Sequence, residues 1–283
     1  MSLRNPIGTH LKVGKGLHAG AFADAVRIGA ETIQVFTGNP RGWATSDGDP
    51  VQDRLFRDAC GEAGIPTFLH TPYLVNLGSP TPTTYANSVR LVAHNLKRAA
   101  EIGAEGVVVH TGSCVAEGSY DDAMRQVREG LLPVLEAIED EDAPWLLLEP
   151  TAGQGRSLCA RIDDLEPYLA ALDHHPKAGI CLDTCHAFAA GEPLDEPGGT
   201  TRVVDRILEL GSLRLVHAND SMDVRGSFRD RHEKIGEGHI GIGAFEELFA
   251  HPATAGVPFV LETPGSRDAG DTSTELLRKL RDA

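Results

Sequence analysis

Short runs of apolar and β-branched residues recur along the chain, each followed by a longer stretch whose apolar residues fall at helical spacing. The strand candidates are Ile7–Leu11, Thr32–Phe36, Pro66–His70, Gly106–His110, Trp145–Glu149, Gly179–Asp183, Leu213–His217 and Pro258–Glu262. Helical patterns lie between them, among them Ala21–Gly29, Thr84–Ile102, Asp121–Glu139, Ile162–Leu172, Arg202–Leu210 and Thr274–Arg281. Strand and helix alternating eight times predict parallel strands joined by right-handed crossovers. The expected fold class is therefore α/β, a single (β/α)8 barrel over residues 1–283. No linker, low-complexity tract or shift of composition divides the chain, and Gly- and Pro-rich pieces such as Gly191–Gly199 read as loops.

The ends of these strands carry the chemistry. Strand three ends in His70, four in His110, five in Glu149, six in Asp183 and seven in His217, and strand eight ends in Glu262. A barrel gathers the C-terminal ends of its strands around one mouth, where enzymes of this architecture keep their active sites. Six side chains of metal-binding type are thus expected to converge whatever the loops do. Two clusters in expected loops add to them: His186, three residues after Asp183, and Asp230-Arg231-His232 after strand seven. Taken singly, a histidine at a strand end is more often a packed structural residue, and an Asp or Glu there often caps the next helix. Six at consecutive strand ends resist that explanation, because burying several carboxylates together without cations is costly.

Other candidates lack this pattern. His94, His174, His175 and His251 read as surface or packing residues, and His18 and His239 lean structural. His10, near the end of strand one, reads equally as a packing residue or as support behind a metal ligand. Cys181 and Cys185 resemble half a zinc site, but no second pair follows at suitable spacing, so they read as small buried residues.

Composition changes the picture in two places. Five cysteines form no even framework, which argues for a reducing compartment without structural disulfides. The stretch Met1–Pro6 lacks the apolar core of a signal peptide, and no run approaches the ~18 apolar residues of a membrane span. A cytoplasmic, soluble protein is expected, with monomer as the default. A net charge of −15 opposes nucleic-acid binding, which normally uses a basic face. Bound divalent cations would reverse that objection locally, because they are often the largest charges in a site.

Several blocks resemble the endonuclease IV family of apurinic/apyrimidinic endonucleases. They are Asp183-Thr184-Cys185-His186-Ala187-Phe188-Ala189-Ala190-Gly191, and the block from His217 through Asn219-Asp220, Gly226-Ser227, Asp230-Arg231-His232 and Gly236-Glu237-Gly238. His70 with Pro72–Gly78, His110–Ser113, Glu149–Gly155 and Leu261–Thr263 match as well, so the resemblance runs from the first strand to the last. It implies a TIM barrel holding three Zn²⁺ ions, with Mn²⁺ able to replace one. His70, His110 and Glu149 would hold the first ion, and Glu149 would bridge to a second held by Asp183, His217 and Glu262. His186, Asp230 and His232 would hold the third. Arg41, Tyr73 and Arg231 match positions that contact DNA, while Glu149 and Glu262 would take part in catalysis. The implied partner is double-stranded DNA with abasic sites or 3′-blocked ends, cut to a 3′-hydroxyl and a 5′-deoxyribose phosphate. Three positions depart from the pattern: Met222 stands where a lysine is common, and Gly38 and Pro40 where polar residues are usual.

The rival is a single-metal sugar isomerase or epimerase of the same barrel class. Glu149, Asp183, His217 and Glu262 resemble its ligand set, but His70, His110, His186, Asp230 and His232 would then have no evident use.

Overall fold

The computed structural model describes residues 4–115, 119–138 and 140–283. Met1–Leu3 of the N-terminal stretch, and Glu139 at the expected end of one helix, lie outside them. The expected (β/α)8 barrel forms. Its strands are β1 (Ile7–Leu11), β2 (Ile33–Val35), β3 (Thr67–His70), β4 (Gly106–His110), β5 (Trp145–Glu149), β6 (Ala178–Asp183), β7 (Leu213–His217) and β10 (Phe259–Leu261). They close in the order β1-β10-β7-β6-β5-β4-β3-β2, all pairs parallel. Two short strands, β8 (Asp220–Ser221) and β9 (His232–Glu233), form an antiparallel ribbon outside the barrel.

The surrounding helices are α1 (Ala23–Ile28, entered through a π-helical turn at Leu17–Phe22), α2 (Pro50–Ala63), α3 (Pro82–Ile102) and α4 (Tyr120–Glu136). Then follow α5 (Leu165–Ala171), α6 (Thr184–Ala190), α7 (Gly199–Leu210), α8 (Ile242–Ala250) and α9 (Thr272–Arg281). Local chemistry sets several of these boundaries. Asp49 accepts the Val51 N–H at 2.9 Å ahead of Pro50, which supplies the fixed φ of a first helical turn. Gly64 and Gly103 end α2 and α3 in the left-handed region, at φ 63° and 71°, where a side chain would be strained. Among the described residues no helix is long and apolar enough to cross a membrane.

Two segments expected as loops differ in the structure. The segment carrying His186, expected as a loop, is the helix α6. All seven of its residues are buried, so it has no polar face and no amphipathic period to reveal it. The Asp230–His232 segment is also not loop throughout, since His232 sits in β9, paired with Ser221.

The barrel interior explains how the fold presents chemistry. Phe68, Val108, Leu147, Cys181, Leu215 and Val260, one from each of six strands, pack into an apolar plug. Side chains alternate across a strand, so the residue two places further on faces the same way. Two places on from these six stand His70, His110, Glu149, Asp183, His217 and Glu262. Register does the rest: His110 lies opposite Glu149, Asp183 opposite His217, and His10 opposite Gln34. The larger core, between barrel and helices, is a separate apolar shell built from residues such as Ile7, Leu91, Leu131, Leu165 and Phe245.

Candidate metal centre

At the mouth the plug gives way to a polar ring. Glu149 lies at its centre and is fully buried. Its Oε2 is 3.3 Å from His70 Nε2 and 3.3 Å from His110 Nε2. Its Oε1 is 3.1 Å from His217 Nδ1 and 3.2 Å from His186 Nδ1. One carboxylate thus faces four imidazoles. Asp183 divides its two oxygens: Oδ1 accepts the His186 N–H at 2.8 Å, capping α6. Its Oδ2 lies 3.8 Å from His217 Nδ1 and 3.6 Å from His232 Nε2. The helix-cap reading and the metal-donor reading of Asp183 are therefore compatible. Asp230 Oδ1 sits 3.2 Å from His186 Nε2 and 3.1 Å from His232 Nε2. Glu262, one residue beyond β10, puts Oε2 3.6 Å from His217 Nδ1.

The nine residues expected from the sequence are all brought together. His70–His110–Glu149, Asp183–His217–Glu262 and Asp183–His186–His232 each place their ligand atoms within 4.8 Å of one another. Two further sets include Cys181 and Cys185, so these cysteines border the site. Burial pushes both thiols up to about 12, which leaves them protonated and poor donors at neutral pH. All five cysteines are free.

Backbone and amide contacts fix the donors. Asn219 donates from Nδ2 to Asp183 Oδ2 at 2.8 Å and accepts the Glu262 N–H at 2.9 Å, tying two strand ends together. Asp220, fully buried, accepts the N–H groups of Ser221, Gly236, Gly238 and Ile240 at 2.8–3.2 Å. That carboxylate pins the base of the segment carrying Asp230 and His232. A Cβ at Gly238 would come within 2.5 Å of it, which accounts for the glycine there.

The charge state of the ring is collective. Burial alone would raise the Glu149 carboxyl, but His217 and His110 outweigh it and hold it well below the usual range. Glu262 is held low against burial by His217 and His10, and Asp230 by His186 and His232. On the imidazole side burial works against the charge, yet His217 is raised well above its ordinary value, at neutral pH by the Glu262 and Glu149 carboxylates beside it. His186 is raised by Asp183 and Asp230, and His232 to about 9 by the same two carboxylates. Without cations, protons on the imidazoles balance the acids.

Divalent ions fit this donor set better than protons do. Glu149 Oε2 and His232 Nε2 are buried with no neighbour in hydrogen-bond geometry, although imidazole or carboxylate atoms stand 3.1–3.6 Å away. Buried polar atoms left so are rare in native proteins. Among the described residues the ion-pair partners of Glu149, Asp183, Asp230 and Glu262 are all histidines. Imidazole and carboxylate are the donors zinc accepts.

The expected DNA-contacting residues lie differently. Tyr73 is 56% exposed on the rim, its ring 5.9 Å from that of His70 and 5.2 Å from that of Phe36. Its N–H donates to Pro40 O at 3.0 Å, which brings the exposed Arg41 loop beside it. Arg231 is exposed but engaged: its Nε donates to Asp223 Oδ2 at 2.5 Å and its second nitrogen to Oδ1. Of the other histidines, His94 bonds Ser46 O, His251 bonds Asp205 and His18 stacks on Phe22. His10 belongs to the ring, with Nδ1 2.9 Å from Glu262 Oε1; burial lowers its pKa.

Residues 22–283 match the family described as xylose isomerase-like TIM barrel. A protein of Streptomyces avermitilis named "Probable endonuclease 4" is 52% identical over 282 residues, covering 99% of this chain and 91% of that one. The crystal structure of endonuclease IV from Thermus thermophilus superposes with a TM-score of 0.81 at 33% identity, covering 98% of each chain. The chain belongs to the endonuclease IV family. A D-tagatose 3-epimerase-like protein also superposes, with a TM-score of 0.74 over 98% of this chain, but at 18% identity it shares the fold alone. The blocks around His186 and His217 that resemble the family coincide with α6 and with the segment anchored by Asp220.

Sequence reasoning missed Gln34, which bonds three members of the ring. A lone amide inside the apolar strand Ile33-Gln34-Val35 was the available signal. Asn219 and Asp220 stood in a family motif without a role.

Proposed function

We propose that residues 1–283 act as one metal-dependent domain, a cytoplasmic, monomeric zinc phosphodiesterase that incises double-stranded DNA 5′ to abasic sites. The products are a 3′-hydroxyl and a 5′-deoxyribose phosphate, and the same site clears 3′-blocking groups. The observation that carries this reading is the single buried carboxylate of Glu149 among four imidazoles, with a second His–Asp–His set adjoining. His70, His110 and Glu149 would hold one Zn²⁺, and Glu149, Asp183, His217 and Glu262 a second. His186, Asp230 and His232 would hold a third, with Mn²⁺ able to take one of the places. Bound zinc supplies a nucleophilic water at neutral pH and neutralises charge on the attacking and leaving oxygens.

The chain's own residues do the positioning. Glu149, with one oxygen toward each side, keeps the two halves of the site at fixed separation. Glu262, 17% exposed, is placed to orient the attacking water. Asp230 and His232 border the side assigned to the leaving 3′-oxygen. Tyr73 and Arg41 on the rim occupy the gap left by the missing base, and Arg231 exchanges Asp223 for a phosphate. Extruding an abasic sugar costs little, since no base pair is lost. The net charge of −15 is compatible with a DNA substrate because bound cations reverse the polarity at the mouth.

A single-metal isomerase or epimerase, favoured by the fold shared with the epimerase-like protein, would use Glu149, Asp183, His217 and Glu262 and leave five ring residues without work. The test is incision by zinc-loaded protein of a duplex with one abasic site, beside the same duplex with its base intact. Cleavage of the abasic strand alone, with an end that a polymerase extends, is expected. An abasic strand left whole overturns the function.

A further inference from the structure

Eight side chains, one at or near the mouth end of each barrel strand, form the ring: His10, Gln34, His70, His110, Glu149, Asp183, His217 and Glu262. Gln34 alone among them is neither acid nor imidazole. It is fully buried and reaches across the barrel to β7 and β10. Its Nε2 lies 2.8 Å from Glu262 Oε1 and 3.0 Å from His10 Nδ1, and its Oε1 lies 2.8 Å from His217 Nε2.

An amide has fixed polarity: the nitrogen only donates and the oxygen only accepts. Turning it over would press Oε1 against the Glu262 carboxylate, two acceptors at 2.8 Å, so the orientation is forced by its partners. Oε1 must then accept a proton carried on His217 Nε2. The neutral ring therefore keeps its lone pair on Nδ1, the atom that faces Glu149 at 3.1 Å, Glu262 at 3.6 Å and Asp183 at 3.8 Å. His70 is held the opposite way, because its Nδ1–H donates to the backbone carbonyl of Thr71 at 2.7 Å and its Nε2 faces Glu149. A carbonyl does this for His70 and a replaceable side chain does it for His217.

We propose that Gln34 is a positioning residue that sets the ring tautomer of His217 and the side-chain orientation of Glu262, and so the way both present donor atoms to one metal ion. This rests on reading His217 and Glu262 as ligands, and partners of this kind orient ligands in other metal sites. Gln34→Leu removes the bonds to His217 and Glu262 at similar size. Gln34→Glu keeps an acceptor for His217 but sets a carboxylate against Glu262.

Purified zinc-loaded protein is dialysed against a weak chelator and its zinc counted per chain. Gln34→Leu is expected to hold about one equivalent fewer than wild type or to bind it ~10–100-fold more weakly, with kcat on abasic duplex lowered by a similar factor and KM unchanged. Long-range ¹H–¹⁵N spectra of the zinc form should show one ring coordinated through Nδ1 in wild type. That pattern should persist in Gln34→Glu and be lost in Gln34→Leu. If Gln34→Leu does not fold, Gln34→Glu decides: saturated with zinc it should keep the Nδ1-coordinated ring, and on dialysis it should give up that zinc more readily than wild type, because its carboxylate displaces Glu262. Full zinc content with wild-type affinity in the folded variants, or no Nδ1-coordinated ring in wild type, overturns the proposal. Failure of wild type to cut abasic DNA would strike the proposed reaction instead, since zinc count and ring spectra read Gln34 independently of it.

Discussion

Two adjacent layers of the barrel interior are built on the same strands by the same pleat, yet they do opposite work. The lower layer, Phe68, Val108, Leu147, Cys181, Leu215 and Val260, is a plug without a charged group. The upper layer, two residues further along each strand, holds three histidines and three carboxylates on those six strands. Burial that stabilises the plug is a cost for the ring, since it disfavours every charged form there. The ring tolerates that cost because acids and imidazoles compensate one another, as the depressed Glu149 and the raised His217 indicate. A step of two residues thus separates a group that holds the barrel shut from a group that can hold cations.

The sharpest way to test that division is Glu149→Gln, which keeps the shape and removes the charge shared by four imidazoles. Incision of abasic duplex should fall on the order of 10³-fold or more, the upper end for losing a group that acts on developing charge. Bound metal should fall with it, read by single-turnover kinetics and metal analysis. Wild-type turnover in this variant would mean that the ring's centre is elsewhere.

Leu147→Ala attacks the other layer, two residues from Glu149. A cavity in the plug should cost about 2–5 kcal/mol of stability, measured by urea unfolding of the zinc-free chain. Saturated incision at low temperature should fall less than ~10-fold, since no donor is touched. A loss of activity matching that of Glu149→Gln, with the fold intact, would show that the layers are not separable.

His232→Ala probes the edge of the ring. It should release about one metal equivalent and lower turnover roughly 100-fold, as loss of one charge-stabilising group does, while circular dichroism stays unchanged. Unchanged metal content would remove the third site from the account.

The smallest effect is expected on the rim. Tyr73→Ala and Arg41→Ala should raise KM for abasic duplex about 10-fold each, with kcat altered less, as for side chains that position substrate. Tyr73 also packs on Phe36 at 5.2 Å, so a change in stability without any change in KM would assign it to packing.

The same two layers show how much was legible in the sequence. The alternation of strand and helix, and the six polar residues at strand ends, recur at regular intervals and so can be read from the sequence alone. Nothing periodic marks α6, whose burial on all sides erases its amphipathic stripe, so the sequence places His186 on a loop. Gln34 escaped because an amide in an apolar strand is not a typical metal ligand, and its role depends on three partners from 24 to 228 residues away. Arg231 is expected from sequence to meet DNA, but its pairing with Asp223 follows from the β8–β9 ribbon, which two-residue strands do not announce.

The number of metal ions held by the purified wild-type chain, after loosely bound ions are removed, separates a three-metal site from a one-metal site. About three zinc equivalents per chain are expected, lost to a strong chelator together with all incision and restored with it when zinc is returned. One equivalent per chain, unchanged on zinc addition, would contradict the three-metal reading and favour a single-metal isomerase or epimerase.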